Sequence, residues 1–325
     1  MPNGVLVFGE AAEDGALASV AGELIAAANS LGGPVTCALL GAGVEGLAGD
    51  CAALGAGKVI VVDDPVLKDY LGDAYVPVAE RICKETDPAI VLLGQTMMGR
   101  DMAPRLAARL GTAVAMDCVE LSLNGDRLQA TRPCYGGSAR ARYSINGTPQ
   151  MATLRAKVYD PLERDPSRQA EVVKQPAGVS ADSLRVRITG RRKEAVEGVR
   201  LEDAAVVVSG GRGLGGPEGF QPLEELAKLL GGAVGATRAV CDLGWYPVAT
   251  QVGLTGKVVT PDLYIAVAIS GASQHMAGIS QVKNIVAINK DPEATIFKSS
   301  RFGIVGDWKE VVPAFMEKVR ELKAG

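Results

Sequence analysis

Four short loops rich in glycine and in hydroxyl or amide side chains lie in the last 120 residues of the chain. Each follows or ends an apolar, β-branched stretch of the kind that forms buried strands. In open α/β folds, loops at the carboxyl edge of the sheet hold nucleotides. The pattern therefore predicts one extended cradle for a dinucleotide. The loops are 209–213, 251–257, 270–275 and 287–291.

Most candidate ligands in these loops are short and neutral. Such donors, together with glycine N–H groups, hold pyrophosphate and ribityl oxygens without excess charge. The neutral donors are Thr237, Thr255, Ser270, Ser273 and Asn289. This chemistry favours a bound cofactor over a hydrolytic centre.

The glycine turn Gly211–Gly216 matches the G-x-G-x-x-G pattern of dinucleotide-binding proteins. It follows a predicted strand at 206–208 and leads to Pro217, a favoured first residue of a helix. An NAD site also needs an acid at the end of the next strand, whereas here that strand ends in Thr237-Arg238. A cation there suits phosphate, or a ring that gains negative charge. The alternative is a tight strand-to-helix turn without a ligand.

His275, the only histidine, lies in one of these loops. It could be a satisfied core residue or a surface residue, but its place at a strand end favours contact with a ligand. Arg238 could likewise be a solvated charge at the turn. One histidine without a Ser-Asp partner pattern argues against triad hydrolysis, and no Walker lysine follows the glycine turn.

The composition indicates a globular protein with a substantial core. The chain has 325 residues, 47% of them hydrophobic, which favours two domains. The formal net charge of −3 argues against a general nucleic-acid binder, because that would need a large positive field. A small anionic ligand is compatible with this balance.

The six cysteines are scattered without a close pair, so neither a metal knuckle nor a CxxC redox motif is predicted. The chain enters the apolar strand Val5–Phe8 almost at once, leaving no room for a leader peptide, and no apolar run approaches the length of a membrane span. We therefore expect a cytoplasmic protein with no membrane span.

Strand and helix patterns alternate from residue 4 to about 110, which predicts parallel strands with crossover helices. Between about 112 and 190, turn signals at Asn124-Gly125 and Asn146-Gly147 predict hairpins added to this domain. The polar stretch from Asp160 to about Ser183 predicts a surface excursion, followed by a strand at Val186–Ile188.

A new α/β pattern begins at Ala205–Ser209, after a charged segment at 191–197. We predict an α/β protein of two domains. Residues 1–193 would form a Rossmann-like domain with added hairpins, and residues 194–325 a doubly wound, parallel-sheet, cofactor-binding domain. The second would contain a helix from Pro217 to about Leu230, strands at 233–236, 263–269 and 285–288, and a final amphipathic helix from about Trp308.

The chain resembles the electron transfer flavoprotein α subunit family. The segments that carry the resemblance run densely from 194 to 325, and the first half agrees in domain type. They are 209–214, 235–244, 251–257, 261–275, 286–292 and 303–307.

The resemblance implies FAD bound mainly in the C-terminal domain, with the flavin ring facing a homologous β subunit in a heterodimer. Arg212, Thr237, Ser270, Asn289 and Asp307 would line the pyrophosphate, ribose and adenine. Thr255 would place its hydroxyl near flavin N5, His275 would lie near the pyrimidine O2, and Arg238 would lie against the ring. The remaining implied cofactor contacts are Gln251, Val252, Gly253, Leu254, Gly271, Ala272, Ser273 and Gln274.

The implied function is electron transport through an anionic flavin semiquinone, stabilised by Arg238 and a protonated His275. Electrons would come from acyl-CoA-type dehydrogenases, as in fatty acid β-oxidation, or from NADH in a bifurcating complex, and would pass to a quinone reductase or a low-potential, ferredoxin-type acceptor. Many relatives carry glutamine where this chain has Leu254, so an amide contact to the flavin or its ribityl chain is missing.

Two other classes stay open on the residues alone. One is an NAD(P)-linked dehydrogenase that uses the Gly211–Gly216 turn. The sequence lacks two features that such an enzyme needs: an acid that binds the ribose, and a proton-transfer His/Lys pair in a separate substrate domain. The other is a nucleotide-binding regulatory module, which would carry no flavin.

Overall fold

A computed structural model of the protein describes residues 3–12, 14–137, 139–190 and 199–324. The chain divides into two compact units. The first comprises Met1–Pro133 and Arg140–Arg191, and the second comprises Cys134–Ala139 and Arg192–Gly325. The boundary predicted at 193, and the charged segment at 191–197, lie outside the described residues.

The first unit contains a seven-stranded parallel sheet in the order β10-β3-β2-β1-β4-β9-β5, with a separate sheet in the order β6-β7-β8, in which β6 and β7 are antiparallel. Its elements are β1 (Val5–Gly9), α1 (Ser19–Leu31), β2 (Val35–Gly41), α2 (Ala48–Ala53), β3 (Lys58–Asp63), α3 (Gly72–Thr86), β4 (Ile90–Gly94), α4 (Met97–Arg109), β5 (Val114–Cys118), β6 (Glu120–Asn124), β7 (Arg127–Cys134), β8 (Ala139–Ser144), β9 (Gln150–Leu154) and β10 (Glu171–Lys174).

The large sheet is covered on both faces because its central strands are apolar at consecutive positions. Val5 and Val7 of β1 point toward the core under α1 and α2, whereas Leu6 and Phe8 point toward the core under α3 and α4. Every residue of β1 and β4 is buried. The alternating α/β pattern predicted for this part is confirmed.

The structure confirms one predicted hairpin and corrects the other. Asn124-Gly125 joins β6 to β7, with Asn124 opposite Arg127. Asn146-Gly147, however, does not close a hairpin, because β8 lies in the small sheet while β9 lies between β4 and β5. All five residues of β9 are buried, and such a strand belongs in the middle of a covered parallel sheet.

Two predictions for the segment after β9 are also wrong in detail. The stretch from Asp160 to Ser183 contains β10, which pairs in parallel with the edge strand β3. The predicted strand Val186–Ile188 is irregular, with Val186 54% exposed. The neighbouring Arg185 forms a surface ion pair with Asp73, and no described strand lies alongside 186–188 to supply a ladder.

The second unit contains a five-stranded parallel sheet in the order β12-β11-β13-β14-β15. Its elements are β11 (Val206–Gly210), α5 (Phe220–Leu230), β12 (Ala233–Ala236), α6 (Arg238–Asp242), β13 (Leu263–Val267), α7 (Ser273–Ala277), β14 (Ile285–Asn289), β15 (Phe302–Val305) and α8 (Trp308–Ala324). Helices α5 and α8 pack on one face, where Phe220, Leu223 and Val312 join the core.

The chain order reverses between β11 and β13, because β11 leads outward to β12 while β13 leads to β14 and β15. This arrangement confirms the doubly wound parallel sheet. Its switch point is the place where open α/β sheets bind ligands, at the carboxyl ends of the strands. Across the described ranges, no helix is both long and apolar enough to cross a membrane.

Candidate functional site

The carboxyl edge of the second sheet brings the predicted loops together. Arg212 follows β11, Thr237 and Arg238 follow β12, Ser270 follows β13, Asn289 ends β14, and Asp307 follows β15. The remaining loop, 251–257, is tied to the same edge by a bridge between Ala236 and Gln251. Parallel strands place all these loops on one side, so the residues converge without any single long loop.

The glycine turn after β11 packs directly against the loop after β13. Gly211 N–H donates to the Val267 carbonyl at 3.0 Å. A Cβ on Gly211 would lie 2.3 Å from the Ala268 carbonyl oxygen, so no other residue fits without backbone movement. Within the glycine turn, Arg212–Leu214 adopt a 3-10 conformation, and α5 begins only at Phe220. It therefore differs from the NAD fingerprint, whose glycines open the helix itself.

A cavity of about 200 Å³ lies between the glycine turn and the loops after β14 and β15. Its lining includes one amide, one acidic, two lysine and one aromatic residue, which suits a nucleotide's polar and planar parts. The lining residues are Gly213, Leu214, Gly215, Ala268, Ile288, Asn289, Lys290, Gly306, Asp307, Trp308 and Lys309.

Asn289 and Asp307 also hold the backbone of this cavity. Asn289 Nδ2 donates to the Ile269 carbonyl at 2.9 Å, and its Oδ1 accepts from Asp291 N–H at 3.0 Å. The Asp307 carboxylate accepts from Lys309 N–H at 2.9 Å, at the start of α8. Asp307 therefore sits where a helix N-terminus stabilises a negative charge.

The 251–257 loop is hydrogen-bonded to α7. Leu254 N–H donates to the Gln274 carbonyl at 2.7 Å. Gly253 has a φ of 146°, and a Cβ there would lie 2.9 Å from that same carbonyl oxygen. Gln251 and Val252 are buried, whereas Leu254 is 64% exposed and Thr255 is exposed beside it. The loop thus has a buried root and an open tip.

The predicted set on the α7 side also assembles here. Gly271 approaches the backbone of Ile296 so closely that a Cβ would lie 2.4 Å from its nitrogen. Ala272 and Ser273 begin the turn into α7, and both are exposed, as are Ser270 and Gln274. The exposed hydroxyls of Ser270 and Ser273 are available to a ligand at the carboxyl edge.

The structure corrects the expected charge of His275. The side chain is 6% exposed, with Nδ1 3.1 Å from the Val252 carbonyl and Nε2 3.0 Å from the Tyr264 hydroxyl. Burial lowers the pKa of His275 to about 4, and the hydrogen bond to Val252 opposes this shift only in part. A protonated His275 at neutral pH is therefore wrong for this arrangement. Its nearness to a ligand remains a prediction.

Arg238 is the first residue of α6, and its side chain is 66% exposed. Its Nε lies 3.2 Å from an Asp242 carboxylate oxygen, one helical turn further on. Such an exposed pair contributes little to stability, so the guanidinium can leave it for a ligand. Arg212 is exposed in the glycine turn and forms no ion pair within the part of the chain that the structure describes.

Sequence reasoning did not mark Tyr264, Trp308 or Lys290 for this site. Tyr264 lies in the middle of β13, and the signal was a hydroxyl-bearing residue within an otherwise aliphatic strand. Trp308 and Lys290 directly follow two marked residues, Asp307 and Asn289. Their side chains line the cavity simply because the same loop ends carry them.

These features define a two-unit α/β protein whose second unit presents a dinucleotide cradle at its sheet switch point. The model of the family described as "Electron transfer flavoprotein domain" matches residues 5–180, and that of the "Electron transfer flavoprotein FAD-binding domain" matches residues 200–280. The chain belongs to the electron transfer flavoprotein α subunit family.

Relatives match along nearly the whole chain. Proteins named electron transfer flavoprotein subunit alpha are 44% identical over 326 residues in Thermoanaerobacterium thermosaccharolyticum and 45% identical over 320 residues in Bacillus subtilis, and each alignment covers 98% of both chains. A protein named FixB from Clostridium saccharobutylicum is 42% identical over 327 residues, covering 98% of this chain and 97% of the relative.

The cofactor of this family unit is FAD, and the residues present fit it. The close packing of Gly211 against Ala268 brings the loops after β11 and β13 together at the switch point, where such folds hold a pyrophosphate. The cavity at Asn289 and Asp307 supplies a place for a nucleoside. Neutral donors between these two places match the uncharged oxygens of ribose and ribityl groups.

Proposed function

We propose that this chain is the FAD-carrying subunit of an electron carrier that pairs with a homologous β subunit. One observation carries the proposal: the two ends of the cradle differ. Residues predicted for the adenine end, Asn289 and Asp307, line a cavity. At the predicted ring end His275 is buried, but Leu254 is 64% exposed and the Arg238 side chain is 66% exposed. A ring bound at this open end would face a partner protein.

In this proposal the loops take the roles that the family resemblance implies. Arg212, Thr237 and Ser270 bind the pyrophosphate and ribose region, with Asn289 and Asp307 toward the adenine. The outer loop places Thr255 beside the ring. The nearby backbone and side chains complete the cradle, namely Gln251, Val252, Gly253, Leu254, Gly271, Ala272, Ser273, Gln274 and His275.

FAD supplies one-electron and two-electron redox chemistry when it is bound. The chain's own contribution is electrostatic and positional. Arg238 is a cation at the open end, where it favours a ring that gains negative charge. His275, held neutral by burial, adds no such charge. Tuning of the potential therefore depends mainly on Arg238 and on hydrogen-bond donors such as Thr255.

We further propose that electrons come from acyl-CoA-type dehydrogenases, or from NADH in a bifurcating complex, and pass to a quinone reductase or a ferredoxin-type acceptor. The open ring end supports exchange with more than one protein. The NAD(P) dehydrogenase alternative lacks support, because Thr237-Arg238 stands where a ribose acid would be needed and the glycine turn is separate from α5.

The six cysteines are free, and five of them are buried. Thiols in this state fit a reducing compartment, so we propose the cytoplasm as the location. Fractionation of cells that carry a tagged chromosomal copy tests this, and recovery in an oxidising compartment would contradict it.

The test of the proposed function is stepwise anaerobic reduction of the chain purified with its β subunit, with the visible spectrum followed throughout. We expect a yellow protein with one FAD on this chain and a resolved one-electron stage. An Arg212→Gln variant should lose FAD, whereas Lys318→Gln, on the outer surface of α8, should retain it. A complex that stays colourless after incubation with FAD would exclude the proposal.

A further inference from the structure

A chain of two hydrogen bonds crosses the core of the second unit below the open loops. Tyr264 is fully buried in β13, which pairs with β11 on one side and β14 on the other. A hydroxyl at such a position needs a partner. The ring of His275 in α7 provides it through Nε2 at 3.0 Å, and Nδ1 reaches the Val252 carbonyl at 3.1 Å.

The chemistry of the Val252 carbonyl and of the Tyr264 hydroxyl determines which atom donates in each of the two hydrogen bonds. The Val252 carbonyl can only accept, so Nδ1 must carry the proton. A neutral ring then offers a lone pair at Nε2, and the Tyr264 hydroxyl donates to it. Burial raises the pKa of Tyr264, and an interaction with the buried Ser209 hydroxyl opposes this only in part, so the Tyr264 hydroxyl stays protonated. Burial lowers the pKa of His275, and the hydrogen bond to Val252 offsets this only in part, so the ring stays neutral.

This chain connects three separate elements. Tyr264 belongs to the central strand, His275 to the short helix α7, and Val252 to the root of the outer loop. Further along that loop, Leu254 N–H bonds to the Gln274 carbonyl, and the Gln251 amide bonds to the Thr255 hydroxyl. The position of the Thr255 hydroxyl thus depends on a loop whose root is held by backbone bonds to β12 and also by the His275 imidazole.

We infer that Tyr264 is a positioning residue for the flavin-ring end of the site. Its hydroxyl holds His275 as the neutral Nδ1–H tautomer, and His275 in turn holds the Val252–Thr255 loop. Both ring nitrogens are used by the protein, so His275 acts as a brace and not as a cationic donor. The consequence for the ring rests on the proposed function, whereas the tautomer and the brace do not.

The single histidine makes a direct measurement possible. The chain is labelled with ¹⁵N-histidine, assembled with its unlabelled β subunit and FAD, and examined by long-range ¹H–¹⁵N correlation NMR between pH 5.5 and 8. We expect one neutral ring with the proton on Nδ1 and no titration in this range. A proton on Nε2 alone, or a doubly protonated ring at pH 7, would overturn the inference.

The variant Tyr264→Phe removes only the hydroxyl. We expect a mixture of tautomers, at least tenfold weaker FAD binding and a shifted flavin midpoint potential. Tyr246→Phe is the matched control, because Tyr246 lies in the same unit and its hydroxyl donates to Glu224, which takes no part in the Tyr264–His275–Val252 chain. An unchanged tautomer and potential in folded Tyr264→Phe would refute the role of Tyr264.

A second pair of variants keeps the test decisive if Tyr264→Phe does not fold. The amide of His275→Asn can still donate to the Val252 carbonyl from the position of Nδ1, whereas His275→Leu cannot. The asparagine variant should bind FAD at least fivefold more tightly than the leucine variant. Equal affinities would contradict the brace. A colourless complex with the expected tautomer would instead contradict the proposed function and leave the brace standing.

Discussion

The side-chain amide of Gln251 donates to the hydroxyl oxygen of Thr255 over 3.0 Å. Gln251 is 7% exposed, whereas Thr255 is exposed at the loop tip. A buried side chain therefore orients an exposed hydroxyl. Because the Thr255 oxygen already accepts this bond, its own O–H remains available to donate to a ligand.

Replacing Gln251 with methionine tests this orientation. The substitution keeps the length of the side chain and removes the donor. We expect FAD to remain bound and its midpoint potential to fall by roughly 40 mV, which corresponds to the loss of about 1 kcal/mol of hydrogen-bond energy for a one-electron couple. Spectroelectrochemistry measures the shift. Thr250→Val, whose lost hydroxyl bonds only to the Pro247 carbonyl, should leave the potential unchanged.

Arg238 and Asp242 should act on the potential in opposite directions. Removing the cation in Arg238→Ala should lower it, whereas removing the competing carboxylate in Asp242→Asn should raise it. Both shifts should be on the order of tens of millivolts, because both side chains are mostly exposed and water screens their charges. Arg238→Lys should retain most of the wild-type value. Shifts of the same sign for the first two variants would show that the pair does not act through charge.

Leu254→Gln restores the side-chain amide that many relatives carry at this position and tests its effect on the flavin. Leu254 is 64% exposed, so the substitution removes little buried surface, and the free energy of unfolding should change by less than about 0.5 kcal/mol. A new donor at the ring end should raise the midpoint potential by roughly 40 mV. Leu243→Gln, on another exposed leucine of the same unit, serves as the control. A potential that moves equally in both variants would exclude a specific contact.

Glu10 in the first unit should make stability depend on pH. It lies at the end of β1, where burial raises its pKa from 4.5 to about 7, although the Thr96 hydroxyl donates to it at 2.6 Å. The folded state holds this proton more tightly than the unfolded chain. The free energy of unfolding therefore falls as the pH rises from about 4.5 through 7, by at most about 3 kcal/mol.

The Glu10→Gln substitution removes the titrating carboxyl group, while the oxygen of the new side-chain amide can still accept the hydrogen bond from Thr96. The variant should be more stable than the wild type at pH 8, and the difference should shrink toward pH 5. Hydrogen exchange of the β1 and β4 amides, compared between proteins at the same pH, measures it. Glu163→Gln, at an exposed position, should follow the wild type at every pH. A constant difference between Glu10→Gln and the wild type would rule out titration of Glu10.

The convergence of the marked loops could be predicted because it follows from a local rule. Each marked loop ends an apolar strand, and parallel strands bring such ends to one edge. The state of His275 could not be predicted in the same way. Its neutrality depends on Tyr264 and on Val252, which lie 11 and 23 positions away and meet it only after folding. How deeply one side chain is buried depends on residues from many elements of the folded core, and a local sequence pattern does not contain them.

The errors in the first unit have a similar origin. Asn146-Gly147 carries a hairpin signal, yet the residues that follow it, Gln150–Leu154, form a central strand. All five residues of that strand are buried, including the polar Gln150 and Thr153, and its pairing with β4 and β5 outweighed the local turn signal. The alternation at Val186–Ile188 is typical of a strand but cannot form one without a neighbour. The raised pKa of Glu10 had the weakest signal in the sequence, which was a single acidic residue directly after the apolar strand β1.

The cavity at the end of β14 has a wall made partly of Trp308. The chain has only two tryptophans, and the other, Trp245, packs against the same hydrophobic cluster but is not among the residues that line this cavity. A Trp245→Phe variant would therefore emit from one indole that stands at the nucleoside end of the cradle. The protein contains its own fluorescent reporter, so arrival of the nucleotide can be timed optically without attaching any dye.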